Sequence, residues 1–172
     1  VVGASGFIGG ALADYLTRYF DVLRLNSRHS WESIENQNLQ FSGISRVFWC
    51  ASAANPVQSE NHPELVLDEI RSLQRLISRI TSDKGKAIPK VIFLSSAGCT
   101  YSSNVLPFKE TSTAQGTNAY GRMKVKQEEL LRASGIPHLI LRIGNVYGPG
   151  QIAGRGQGLI ANLIEKQLRH ES

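Results

Sequence analysis

Val1-Val-Gly-Ala-Ser-Gly-Phe-Ile-Gly9 is the stretch whose reading decides the fold. Two β-branched residues run into a turn with glycine at positions 3, 6 and 9, and Phe7 and Ile8 then open an apolar helical period. Glycine permits a tight strand-to-helix turn, a close approach of backbone to a ligand and close packing of helix on strand. A helix N-terminus at that point offers free N–H groups and the positive end of its dipole to phosphate oxygens. The spacing is G-x-x-G-x-x-G, not the G-x-G-x-x-G of the standard dinucleotide fingerprint, and a purely structural turn would use the same glycines. The strand before and the helix after favour pyrophosphate binding, with Gly3, Ser5, Gly6, Phe7, Ile8 and Gly9 as cofactor-binding residues.

Outward from the turn, strand and helix patterns alternate. Ile8, Leu12, Tyr15, Leu16 and Tyr19 predict a helix from about Phe7 to Tyr19, and Val22 to Leu25 reads as a short buried strand. Apolar residues from Ser27 to Ser45 are too sparse to assign. Arg46 to Cys50 predicts a strand entering the small-residue segment Ala51-Ser-Ala-Ala-Asn55-Pro56. Pro63 starts a helix whose apolar face is Val66, Ile70, Leu73, Leu76, Ile77 and Ile80. Val91 to Leu94 is a further strand, a polar loop runs to Asn118, a helix spans about Ala119 to Ala133, and Leu139 to Ile143 is the next strand. Leu159, Ile160, Leu163, Ile164 and Leu168 recur at helical spacing near the end. Strands separated by helices predict a parallel sheet, because parallel neighbours need crossover connections.

Composition adds exclusions. The 172 residues are 41% hydrophobic and 19% charged, as in one ordinary soluble domain. No apolar run approaches the roughly 18 residues of a membrane span, no secretion signal is visible, and two cysteines cannot build a disulfide scaffold. A cytoplasmic, reducing location is expected, without membrane association. The net charge of +5 is scattered, with no basic patch interleaved with aromatics. A phosphorylated small molecule accounts for that excess, and nucleic acid is not an expected partner. His29, His62, His138 and His170 lack the paired spacing of metal ligands, so no metal site is expected. The brevity of the first strand and the abrupt end after the last helix read as an excerpt of a longer protein.

Two further patterns bear on chemistry. At the end of the second strand, where a carboxylate would hold the adenosine ribose of NAD, the sequence reads Leu25-Asn26-Ser27-Arg28. With no carboxylate to repel a 2′-phosphate and Arg28 able to pair with one, NADP is preferred over NAD, unless Arg28 is simply a solvated loop cation. In Tyr120-Gly-Arg-Met-Lys124 the phenol and the ammonium lie one turn apart on one helix face. A nearby ammonium lowers a phenol below its free pKa of about 10, making Tyr120 an acid/base for an alcohol during hydride transfer. Taken alone, such a pair is usually just helix surface.

Together with Val91-Ile-Phe-Leu-Ser-Ser-Ala-Gly-Cys-Thr-Tyr101, Glu128 and Leu141-Arg-Ile-Gly-Asn-Val-Tyr-Gly-Pro-Gly-Gln151, these motifs resemble the extended short-chain dehydrogenase/reductase family, the NAD(P)-dependent nucleotide-sugar epimerases and dehydratases. The resemblance implies an α/β fold, a Rossmann-like doubly wound parallel sheet with helices on both faces. Residues 1–150 would form the dinucleotide-binding domain and 151–172 the truncated start of a substrate-binding region. It implies Tyr120 as acid/base, Lys124 on the nicotinamide ribose, Asn145 on the phosphate side of a nucleotide sugar, and Asn26, Ala51 and Ser95 among the cofactor contacts. A homodimer stays open.

The chain departs from the family pattern at several points. The family's catalytic Ser/Thr position falls on Ala97, so Ser96 takes that role, with Cys99 and Thr100 as alternatives. Gly98 and Cys99 stand where dehydratases and decarboxylases of the family carry acidic residues, which favours epimerase or reductase chemistry. Cys99 also matches an acid/base cysteine of the GDP-fucose synthase branch and is a candidate substrate contact. A small buried residue at a strand end is the plainer reading. The function implied is an NAD(P)-dependent epimerase or reductase acting on a nucleotide sugar through a keto intermediate. The alternative is a non-catalytic NAD(P)-binding regulatory module.

Overall fold

In the computed structural model, residues 1–26, 41–82, 87–102, 106–154 and 158–169 are described. Helix α1 spans Phe7–Leu16, strand β1 Arg46–Trp49, α2 Pro56–Asn61, α3 Pro63–Ser82, β2 Lys90–Ser96, α4 Ala97–Thr100, α5 Ala119–Ala133, β3 His138–Ile143 and α6 Leu159–Leu168. The strands form a parallel sheet in the order β1-β2-β3, with Phe48 opposite Ile92 and Phe93 opposite Ile140. Val2 extends it through parallel bridges to Trp49 on one side and Leu25 on the other. The chain therefore steps from Val2 one way to Leu25, and the other way to β1, β2 and β3. Parallel neighbours joined through the helices α3 and α5, with α1 leading out of the turn after Val2, make the doubly wound Rossmann-like arrangement.

Burial explains why these segments pair. Val91 and Phe93 are 0% exposed and Ile92 5%, so β2 is covered on both faces, as a central parallel strand must be. Leu73, Leu76 and Ile80 of α3 and Leu131 of α5 close over Val2, Val47, Trp49, Val91 and Phe93 to make the core.

Three expectations change. Helix α1 ends at Leu16, not Tyr19, and Tyr15 and Tyr19 leave the apolar face to pair with each other, ring centroids 5.5 Å apart, with Arg18 over Tyr15. Gly9 and Ala13 are the buried contacts of α1 instead. The strand expected over Val22 to Leu25 is reduced to Leu25, which bonds to Val1 and Gly3 and bridges Val2. Helix α2 was not anticipated. Asn55 starts it with a capping box, its side chain accepting from Gln58 N–H at 2.8 Å while Gln58 accepts from Asn55 N–H.

Candidate active site

The glycine turn sits where the strand order reverses, at the C-terminal edge of the sheet, which is where open α/β sheets bind ligands. Gly3 has φ +85°, and a Cβ there would lie 2.6 Å from Ala51 N, so the turn rests on the end of β1. A Cβ on Gly9 would lie 2.2 Å from Gly3 O, which forces glycine where α1 crosses the strand end. Gly6 differs: a Cβ there meets only Gly3 O at 3.3 Å. It is the N-cap of α1, with no side-chain cap and no acidic residue in the first turn, so the first N–H groups of the helix face outward uncountered. Asn26, exposed, follows Leu25, whose carbonyl accepts from Gly3 N and Ala4 N. Arg28 lies outside the described residues.

Across the crevice, α5 is aimed by its own first turn. Asn118 caps it, accepting from Gly121 N–H at 2.8 Å. Cys99 O accepts from Thr117 N at 2.9 Å and presses so closely on α5 that a Cβ on Gly121 would lie 1.8 Å from it. The glycine between Tyr120 and Lys124 is thus the surface on which α4 docks, and Cys99 arrives beside Tyr120 for that reason. The Cys99 thiol also takes a 3.6 Å contact from Asn118 Nδ2.

Tyr120 is half-buried and Lys124 is 2% exposed. Lys124 Nζ donates to Leu94 O at 3.3 Å and lies 5.5 Å from the Tyr120 ring centroid and 5.0 Å from that of Phe93. The pair expected from the sequence is therefore present, but the direction expected for the phenol is reversed. Burial, then the proximity of Cys99 and Glu69, pushes Tyr120 up to about 12, with a hydrogen bond involving Ser52 pulling the other way. Lys124 sits under the ring and bonds a strand carbonyl, so it does not offset that burial. Burial also lowers the Lys124 ammonium, opposed by Glu69, Cys50 and Glu128.

The serines at the end of β2 divide. Ser95 is 2% exposed and its hydroxyl donates to Glu128 at 2.6 Å, so its side chain is committed to the interior. Ser96 is half-buried at the N-cap of α4, where its hydroxyl caps nothing and its carbonyl accepts from Thr100 Oγ1. Ala51 is buried against the glycine turn, and Asn145 is exposed beyond the end of β3. Sequence reasoning passed over Glu69 and Gln127, both buried, because each stands in a helix among solvent-facing charges. A carboxylate in register with Leu73, Leu76 and Ile80 was the available signal for Glu69. No cluster of metal-ligating side chains occurs among the described residues, and none of their helices is long and apolar enough to cross a membrane.

The comparisons converge. A family model described as the NAD dependent epimerase/dehydratase family matches residues 1–172. A Methanocaldococcus jannaschii protein provisionally named UDP-glucose 4-epimerase is 27% identical over 195 residues, covering 100% of this chain and 63% of its own length. Thermotoga maritima UDP-glucose 4-epimerase, solved with UDP-glucose, superposes with a TM-score of 0.83 at 25% identity, over 99% of this chain and 63% of that one. A NAD-dependent NDP-hexosamine 5,6-dehydratase of tunicamycin biosynthesis gives a TM-score of 0.78 at 26% identity, over 97% and 60%. The chain thus spans less than two thirds of each of these proteins.

Proposed function

The chain belongs to the NAD-dependent epimerase/dehydratase family, and from that premise we propose that it is the catalytic and dinucleotide-binding part of an enzyme that epimerises or reduces a nucleotide sugar. Residues 1–150 hold the cofactor and 151–172 begin the substrate region. The observation that carries this reading is the placement of Tyr120 and the buried Lys124 on one face of α5, at the sheet edge that also holds the glycine turn.

The turn fits a dinucleotide pyrophosphate. Gly6 leaves open the space in front of the α1 N-terminus that a side chain would fill, and the outward N–H groups suit phosphate oxygens. Phe7, Ile8 and Gly9 supply those N–H groups, Ser5 and Ala51 border the crevice, and Asn26 faces the adenosine side, in a sequence segment that has Arg28 and no carboxylate, so that NADP is preferred to NAD. A bound nicotinamide supplies a two-electron acceptor for the carbon-bound hydrogen of an alcohol. Tyr120, in its phenolate form, takes the hydroxyl proton as that carbon becomes a ketone, and as the phenol returns it when the ketone is reduced. Lys124 holds positive charge beneath the phenol, Ser96 orients the reacting hydroxyl, and Cys99 and Asn145 contact the nucleotide sugar. UDP-sugars are the first class to try, given what the Thermotoga maritima relative was solved with.

Ala97 favours a second reading, a dinucleotide-binding module without turnover, because it puts no hydroxyl at the first position of α4. Assay of the full-length protein with UDP-, GDP- and dTDP-sugars decides. Turnover by the wild type that is lost in Tyr120→Phe supports the enzyme. Binding of NADP(H) with turnover of none of these sugars supports the module.

A further inference from the structure

Helix α2 carries a glutamate that reaches the helix bearing Tyr120. Glu60 Oε1 accepts from the N–H of Ala119, the first residue of α5, at 2.6 Å and across 59 positions of sequence, and lies 3.9 Å from Arg122 Nη2. The glutamate side chain is 52% exposed, and α5 has other supports. Asn118 caps it through Gly121 N–H, and Met123, Lys124, Gln127, Glu128 and Leu131 are buried along its length. An exposed ion pair such as that with Arg122 adds little stability, and an exposed N–H at a helix start that loses its acceptor finds water instead. What the contact does fix is the place of the first turn of α5. Tyr120 is the residue next to Ala119 in that turn.

The segment that presents Glu60 is tied down on both sides. Ala51 lies against the glycine turn, where a Cβ on Gly3 would be 2.6 Å from Ala51 N, and Ala53 N–H donates to Glu69 of α3. Asn55 then opens α2 with its capping box, and its carbonyl accepts from Ser59 N at 2.9 Å and from Ser59 Oγ at 2.8 Å. Ser59, beside Glu60, is 2% exposed, and His62 N closes the helix on Gln58 O at 2.8 Å. Building on the reading of Tyr120 as acid/base given above, we propose that Glu60 is a positioning residue, which sets Tyr120 over the strand ends by holding Ala119. A shift of that turn by about 1 Å takes the phenol out of line with a reacting hydroxyl. The carboxylate serves here as an acceptor for one N–H, not as a charge.

Glu60→Gln and Glu60→Ala separate acceptor from charge, because the amide oxygen still accepts from Ala119 N–H while the charge beside Arg122 is lost in both. In the full-length protein with a UDP-sugar, Glu60→Ala lowers kcat about tenfold and leaves KM for sugar and dinucleotide unchanged. Glu60→Gln keeps the wild-type kcat. The same division appears by NMR without turnover. Ala119 N–H exchanges faster in Glu60→Ala, and the ring ¹³C signals of Tyr120, assigned by their loss in Tyr120→Phe, shift; in Glu60→Gln both coincide with wild type. Unmoved Tyr120 signals in Glu60→Ala overturn the proposal, as does a Gln variant that behaves like the Ala variant. A collapse of the unfolding midpoint in Glu60→Ala also overturns it, because the role is then structural. A wild type that turns over no sugar yet shows these spectral differences keeps the positioning of Tyr120 and rejects the enzymatic reading alone.

Discussion

Glu128 and Arg142 meet as a two-point pair, with Arg142 Nε donating to Oε1 at 3.0 Å and Nη2 to Oε2 at 2.7 Å. Their side chains are 0% and 13% exposed. The Ser95 hydroxyl and Arg132 complete the carboxylate's shell, and the Arg142 guanidinium stacks at 4.7 Å on Tyr101. One carboxylate thereby joins β2, α5 and β3 one helical turn beyond Lys124, and fixes the height at which α5 presents Tyr120 over the strand ends.

Breaking that pair from one side leaves a nearly buried cation unmatched, so Glu128→Gln loses about 3 kcal/mol of stability at pH 7, read by urea unfolding. The pH dependence has a definite sign. Burial works against the Glu128 carboxylate, yet the hydrogen bonds from Arg142, Ser95 and Arg132 hold it below the usual range. Its contribution is therefore present above about pH 4.3, the ordinary glutamate value, and is lost as pH falls through the lower folded value. Wild type should show that acid loss and the Gln variant a flatter acid limb. Parallel limbs would place the contribution elsewhere.

The glycines separate fold from binding. Gly9→Ala sets a methyl 2.2 Å from Gly3 O and Gly121→Ala one 1.8 Å from Cys99 O, both against backbone, so each costs about 3 kcal/mol. Gly6→Ala meets only Gly3 O at 3.3 Å and loses about 1 kcal/mol as a poorer N-cap. Its methyl occupies the proposed pyrophosphate space, so NADPH binding weakens by about tenfold, or 1.4 kcal/mol. Calorimetry with and without NADPH separates the two effects, and unchanged affinity in Gly6→Ala removes the cradle.

What the sequence revealed follows from how local each signal is. The bounds of α5 could be read in advance because Asn118 caps it and its apolar period is regular, and β2 could be found because a fully covered strand is a continuous apolar run. Tyr15 and Tyr19 misled because an aromatic at helical spacing packs as well on another aromatic as on a core. Helix α2 had a legible start in Asn55-Pro56 with Gln58, overlooked beside the stronger signal of Pro63. The direction of the Tyr120 shift could not be read from spacing. It depends on burial by α4 and on a charge from α3, both remote in sequence.

The two thiols differ in setting, and alkylation shows it. Burial pushes Cys50 up to about 11, against the pull of Lys124, so at pH 8 it is almost wholly a thiol. Both thiols are half-buried, so Cys50, held as the thiol, should label with iodoacetamide slowly, while Cys99, beside Tyr120, labels in the native state and is protected by a UDP-sugar. Peptide mapping by mass spectrometry reads both. Labelling of Cys99 that is indifferent to a saturating nucleotide sugar removes it from the substrate site.

Cofactor choice rests on charge at the end of the second strand. Leu25 is fixed there by its bridge to Val2 and by the bonds that Gly3 N and Ala4 N make to its carbonyl, so the residue after it opens beside the glycine turn. That residue is Asn26, which neither repels a 2′-phosphate nor binds the ribose diol as a carboxylate would. Arg28 adds a guanidinium suited to a phosphate monoester. NADPH should therefore bind about tenfold more tightly than NADH in fluorescence titrations, and Arg28→Ala should reduce the ratio toward one by weakening NADPH alone. Raising the salt concentration should shrink the same ratio, because salt screens a guanidinium–phosphate attraction while the glycine turn, common to both cofactors, is not discriminating. Tighter NADH binding that Arg28→Ala leaves untouched would show that the ribose is read by another group and that the missing carboxylate carries no preference.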